Sequence, residues 1–315
     1  MLMAFISCNR MPLYDLEAQA VRLVLTLELD LDLDIRNDLD LSVDVERTIQ
    51  APDYNKVLFY NQDQGQLLYT EFVGTYGGPI YSPAGDYRML VYNFGTEYVQ
   101  IRNESDVNTI EAFTSDITAI KGAALRACTR TSDDEPQGPI IYAPDHLLVV
   151  RDDVEIPRMT EQDQDVVIRA TSKTIVETYS FEANNVVGAQ YIESCEAFVT
   201  NQSRTSFFGR GEASREPATL SFPVGVDRRK GCLYTTFNTF GKLPGESRSY
   251  LYIIVYDTGG NEHYFSEDIT DDFNDPDNHI VLEDIIEIPQ PAAKGGGIAP
   301  TVEPWMEEIH DVPIG

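Results

Sequence analysis

The sequence predicts an all-β protein built as two tandem antiparallel β-sandwich domains. Three observations carry that expectation. Hydrophobicity alternates with period 2 along most of the chain. Clusters of Gly, Pro, Asn and Asp interrupt the alternation at the spacing of short sandwich strands. Helical spacing is confined to short stretches, and without long interleaved helices a parallel α/β sheet is disfavoured.

The elements follow in order. From Val21 to Asp34, Leu25, Leu27, Leu29, Leu31 and Leu33 share one face, continued by Ile35, and Thr26, Glu28, Asp30, Asp32 and Asp34 share the other. That is a half-buried strand with an acidic solvent face. Arg36-Asn37-Asp38 reads as a turn, and Leu39 to Glu46 alternates again. Further strands are expected at Lys56 to Tyr60, Gln66 to Val73, Tyr87 to Asn93, Glu97 to Ile101 and Ile140 to Val150. Gly77-Gly78-Pro79 and Pro83-Ala84-Gly85-Asp86 read as punctuation between them. Ile117, Ile120 and Ala124 have helical spacing within Ser115 to Leu125.

After Asp152 to Arg158 the pattern restarts. Strands are expected at Asp165 to Phe181, Ala189 to Val199, Ala218 to Pro223, Cys232 to Phe240, Tyr250 to Tyr256 and His263 to Phe265. The chain therefore divides into a tether over 1–18, a first sandwich over 19–158, a second over 159–290, and a linker and tail over 291–315. The linker is rich in Pro and Gly, ending in Gly295-Gly296-Gly297. The tail carries the chain's one tryptophan. Val302, Trp305, Met306 and Ile309 have i, i+3, i+4, i+7 spacing, which suits two helical turns. Pro300, Pro304 and Pro313 equally allow an extended segment that docks elsewhere.

A chain of 315 residues with 42% hydrophobic content can bury ordinary cores. Its net charge of −29 repels phosphate backbones, so nucleic acid is excluded as a partner. No cofactor or metal is expected. The histidines at 146, 263, 279 and 310 lack zinc-hydrolase spacing, and there is neither a P-loop nor a nucleophile elbow. Gly209-Arg210-Gly211 reads as an exposed loop. Asp268 to Asn278 is rich in hard oxygen donors but lacks the glycine bend and closing Glu of a calcium loop, so it reads as a polar connection. No acid/base pair, nucleophile or metal set points to an enzyme; a hydrolase would need a carboxylate pair hidden in the fold. Cys128, Cys195 and Cys232 have neither zinc nor redox spacing and leave one disulfide or none open.

The start of the chain speaks to location. Met1 to Ser7 is an apolar run ending on a small residue before Cys8. It reads as the end of a lipoprotein signal, with Cys8 the acylated (palmitate-bearing) residue at a membrane surface outside the cytoplasm.

Several stretches together resemble one family. Cys8-Asn9-Arg10-Met11-Pro12-Leu13-Tyr14, Tyr87 to Tyr98, Phe237 to Gly241 and Phe265 to Thr270 are similar to segments of fimbrillin-like lipoproteins of the Bacteroidales type V pilus superfamily, minor or anchor subunits among them. The resemblance implies two transthyretin-like β-sandwich domains and a role in cell adhesion and fimbria assembly. It implies partnership with other fimbrial subunits by strand exchange, and an outer-membrane location through the lipid. The physics of such exchange is β-augmentation. Polymerising relatives lose an N-terminal strand to a protease that cuts after Arg, and Arg36 and Arg47 are the matching candidates here. Either cut would also release the lipid, so an anchor stays uncut and donates only its tail, around Ile298, Val302, Trp305 and Ile309. The alternative is a surface glycan-binding lipoprotein for nutrient capture, using exposed Tyr or Trp305 as its platform.

Overall fold

The computed structural model describes residues 20–32, 49–117, 125, 138–158, 165–243, 248–274 and 278–291. The first half of the chain supplies β1 (Ala20–Leu29), β2 (Tyr54–Asn61), β3 (Leu67–Gly74), β4 (Gly77–Pro83), β5 (Gly85–Asn93), β6 (Val99–Arg102), β7 (Glu111–Thr114), β8 (Ile140–Tyr142) and β9 (Leu148–Ile156). The second half supplies β10 (Val166–Thr174), β11 (Glu177–Ala183), β12 (Val186–Val187), β13 (Ile192–Ser203), β14 (Thr205–Phe207), β15 (Glu212–Ala213) and β16 (Pro217–Pro223). It continues with β17 (Gly225–Asp227), β18 (Cys232–Thr239), β19 (Tyr250–Asp257), β20 (Glu262–Asp268), β21 (His279–Leu282) and β22 (Ile286–Glu287).

The all-β expectation holds, and the first sheet departs from an open sandwich. Strands β1-β10-β9-β5-β2-β3-β4 close on themselves as a seven-stranded barrel. Closure removes the two edges that an open sheet would expose. Its interior is filled by alternate residues: Val21, Leu23, Leu25 and Leu27 of β1, with Phe59, Ile80, Met89 and Val91 opposite. Phe59 stacks on Tyr69 at 4.6 Å, and Tyr87 meets both rings edge-on.

The outer wall of the barrel is buried as well. Leu58, Tyr60, Leu90 and Tyr92 face away from the interior and pack with Val107, Ile110, Phe208 and Phe240. This second layer is capped by a small sheet ordered β15-β14-β7-β6. Fully buried runs in β2 (Val57–Tyr60) and β5 (Met89–Tyr92) follow from burial on both faces.

The second unit is a two-layer sandwich. A five-stranded sheet, β20-β19-β13-β16-β8, faces a four-stranded one, β17-β18-β11-β21. Between them lie Ile253, Val255, Ala197 and Leu220 from one sheet and Phe181, Leu233, Phe237 and Ile280 from the other. Phe222 and Phe237 stack across the gap at 4.3 Å.

Several boundaries differ from those expected. β1 stops at Leu29, because the Leu31 carbonyl accepts from the Ile49 N–H instead of continuing the ladder (2.8 Å). Gly77-Gly78-Pro79, expected as a turn, opens strand β4, which runs on to Pro83. The run Ile140 to Val150 breaks at Ala143-Pro144 into β8 and β9, and Asp165 to Phe181 divides into β10 and β11, which enter different sheets. In the expected helix, Asp116 makes a β-bridge with Ile141, and 118–124 lie outside the described residues. Pairing also does not divide at residue 158. β10 closes the first barrel beside β1, β8 joins the second unit beside β16, and β14 pairs with β7.

Candidate assembly seam and surface cleft

β1 is the strand whose seat matters most. Its alternation places Val21, Leu23, Leu25 and Leu27 inside, each at most 2% exposed, and Arg22, Thr26 and Glu28 outside. On one side it pairs in parallel with β10, from Leu23↔Val166 to Leu29↔Ser172. On the other it pairs antiparallel with β4, from Ala20↔Pro83 to Thr26↔Gly77. The Leu27 N–H donates to the Tyr76 carbonyl (3.1 Å). Arg22 forms an exposed ion pair with Asp165, which raises the affinity of its guanidinium for its proton through the hydrogen bond and the charge.

Gly77 sets the spacing of the β1–β4 seam. Its φ is +96°, and a Cβ there would sit 2.1 Å from the Leu25 carbonyl oxygen. Only a residue without a side chain permits that approach. Sequence reading took Gly77 for turn chemistry, since its partner strand is remote in sequence.

A cleft of about 470 Å³ opens on the outer face of the second unit. Tyr98, Tyr142, Ser194, Glu196, Ser221 and Tyr256 contribute to its walls. The Tyr98 and Tyr142 rings stack at 5.1 Å. Ser221 donates to Glu196 Oε1 (2.6 Å), and Asp145 accepts from the Val99 N–H (3.2 Å) and the Tyr98 N–H (2.5 Å). These side chains come from β8, β13, β16, β19 and the segment before β6, parts of the chain remote in sequence, so no local motif announces them.

The polar clusters serve structure. Asp257, 1% exposed, closes the β19–β20 turn: its carboxylate accepts from the Asn261 side chain, from His263 Nε2 at 3.0 Å and from the Gly259 N–H, and these bonds hold it well below the usual carboxylate range. Ser180 Oγ lies 2.7 Å from His279 Nδ1, and His279 Nε2 lies 3.5 Å from Glu182. This resembles a nucleophile triad in outline, but Ser180 is 1% exposed in mid-strand and offers no hydroxyl to a substrate. His146 is half-buried between Thr174 and Asn238, and desolvation lowers its pKa. Among the described residues no group of His, Cys, Asp and Glu could hold a metal, and Asp268 bonds Thr270 in its own turn. Cys195 and Cys232 are buried and form no disulfide with one another, and burial pushes the Cys195 thiol up to about 12. Cys8, Cys128, Arg36, Arg47, Ile298, Val302, Trp305 and Ile309 lie outside the described residues.

Comparison with known proteins places this geometry. A family model described as "Domain of unknown function (DUF5119)" matches residues 31–223. A Bacteroides ovatus protein named "Putative fimbrium anchoring subunit Fim4B" is 27% identical over 206 residues, covering 64% of this chain and 56% of that protein. The match thus spans little more than half of the curated relative's length. Two crystal structures share the fold, each described as a "putative adhesin" from Bacteroides ovatus. One has a TM-score of 0.59 at 19% identity, covering 92% of this chain and all of the other. The second has a TM-score of 0.50 at 11% identity, covering 84% and 88%. Since the family model spans well over half of the sequence, the chain belongs to the family described as domain of unknown function DUF5119.

Proposed function

We propose that this chain is a surface-anchored fimbrial subunit of the anchoring kind, acting in cell adhesion and pilus assembly and carrying no catalytic activity. The observation that carries the reading is the 206-residue relationship to a protein named as a fimbrium anchoring subunit. The seat of β1 supports it. The Ile49 N–H bonds the Leu31 carbonyl, so the intervening stretch, which includes Arg36 and Arg47, leaves and returns at one point of the barrel. Cutting there would leave β1 held by pairing alone, and β1 is the strand that closes the barrel between β10 and β4.

In an anchor that cut does not occur. Cys8 carries the lipid, β1 stays covalently joined to it, and the barrel stays closed. Strand exchange then uses the tail around Ile298, Val302, Trp305 and Ile309, added to the next subunit by β-augmentation. The location is the outer membrane at the cell surface. The finer reading of the fold, two tandem transthyretin-like sandwiches, belongs to the same proposal; the two-layer second unit favours it, and the first unit is its closed variant.

Intact mass and membrane fractionation in a Bacteroidales host, with Cys8→Ala alongside, test the reading. An acylated chain beginning at Cys8, released to the soluble fraction by Cys8→Ala, is expected. A mature chain trimmed after Arg36 or Arg47 would overturn the anchor role in favour of a polymerising subunit. A truncation at residue 290 should lose binding to partner subunits, and retained binding would remove the tail from assembly.

A further inference from the structure

We propose that the outer-face cleft of the second unit is a seat for this chain's own C-terminal segment, 298–309, with the Trp305 indole as its anchor. The inference stands apart from the fimbrial reading and would hold if that reading failed.

The cleft continues an apolar stripe. Along β19, Tyr252, Ile254 and Tyr256 project to the same outer face at period 2. Tyr252 and Ile254 are fully buried beneath Leu125 with Phe198 of β13. Tyr256, the next in the row, is only partly buried and forms part of the cleft wall. The stripe is therefore covered over one part and open over the next. Its volume of about 470 Å³ is the size that takes one bulky apolar group. The stacked rings of Tyr98 and Tyr142 offer an aromatic guest an apolar wall.

The path of the chain identifies the occupant. Pro291, the last described residue, lies against Gly259, where a Cβ on the glycine would come within 2.8 Å of the proline ring. Gly259 sits in the β19–β20 turn, three residues beyond Tyr256. The tail thus departs close to the cleft. From Pro291 to Trp305 is fourteen residues, with Gly295-Gly296-Gly297 between. A flexible linker of that length spans roughly 20 Å on average and holds its end at an effective concentration on the order of millimolar. Trp305, Met306, Val302 and Ile309 supply the apolar matter.

Charge makes this docking easy to reverse. Glu196 lines the cleft, and Glu303, Glu307 and Glu308 flank Trp305. Like charges oppose the apolar contact, so salt tightens it by screening. A partner offering a better groove could then draw the tail away.

Trp305 is the chain's single tryptophan, so its fluorescence reports on the tail alone. In the full chain the emission should be blue-shifted and shielded from acrylamide relative to a peptide of residues 292–315, more so at high salt. Ser194 is exposed on the cleft wall. Ser194→Glu, which adds bulk and a further like charge to the cleft wall, should return the emission to that of the free peptide with the melting temperature unchanged, and Tyr98→Ala should move it part of the way. A peptide-like spectrum in the full chain would overturn the proposal. So would a blue shift that survives both substitutions, or one that fades on dilution, which would assign the cleft to the tail of a second copy.

Discussion

Replacing Gly77 by Ala probes the seam that holds β1 in the barrel. The new Cβ would lie 2.1 Å from the Leu25 carbonyl oxygen and 2.8 Å from its carbon. Contacts that short are relieved only by moving β1 from β4. Alanine at φ +96° adds roughly 1–2 kcal/mol of backbone strain. Loosening the neighbouring pairs Leu25↔Gly78 and Thr26↔Gly77 forfeits one or two backbone hydrogen bonds, each worth about 1 kcal/mol net. Against this, the less flexible unfolded chain returns about 0.4–1 kcal/mol. The balance is a loss of about 1–4 kcal/mol. Gly78→Ala is the control, because its nearest neighbour is a Val73 side-chain carbon at 3.9 Å, an ordinary contact. It should stay within about 1 kcal/mol of the parent, on the stabilising side. Hydrogen exchange of β1 amides through a guanidinium series reads both. Equal effects from the two substitutions would refute the close approach as the determinant of the seam.

Other outcomes follow from the second unit. Phe237→Ala removes a ring stacked on Phe222 at 4.3 Å and should lower stability by about 3–5 kcal/mol in chemical denaturation. Alkylation with peptide mapping should leave Cys195 and Cys232 unmodified in the native protein at pH 8 and modify both in denaturant, since both are buried and the Cys195 thiol is pushed up to about 12. The Asp257 carboxylate is depressed in the folded state, so its contribution is present above the ordinary carboxylate value of about 4 and is lost as pH falls below it. Thermal melts from pH 6 to pH 2 should therefore fall more steeply in the parent than in Asp257→Asn, and parallel curves would contradict the assignment.

Period-2 alternation made β1 legible over Val21 to Leu27, and the strands of the second sandwich likewise. What it could not show was pairing between distant parts of the chain. Barrel closure rests on a parallel ladder whose flanking ion pair joins residues 143 apart, Arg22 and Asp165. Gly77 and Gly78 carry strong turn chemistry, and their place in β4 is set by what β1 needs opposite it. Ile175 and Val176 carry the chain between two sheets without a turn residue, because both pack into the layer outside the barrel. The cleft tyrosines are single residues from distant parts of the chain, Tyr142 on β8, Tyr256 on β19 and Tyr98 just before β6. By contrast, the proposed lipid site and tail rest on composition and spacing, and the proposed cut points on the family resemblance, none of which needs a tertiary partner.

The interlaced strands have a mechanical consequence. β8 comes from the first half of the chain and serves the second sandwich, while β10 follows residue 158 and completes the barrel. β14 adds to the sheet of β6 and β7. Neither half owns all of its strands, so an expression fragment ending or starting at residue 158 would lack a rib of its own sheet. Tension applied through the ends of such a molecule reaches both cores together, and one cannot be unravelled while the other stays whole. In the anchoring role proposed above, that sharing of strands would make one mechanical link out of two units.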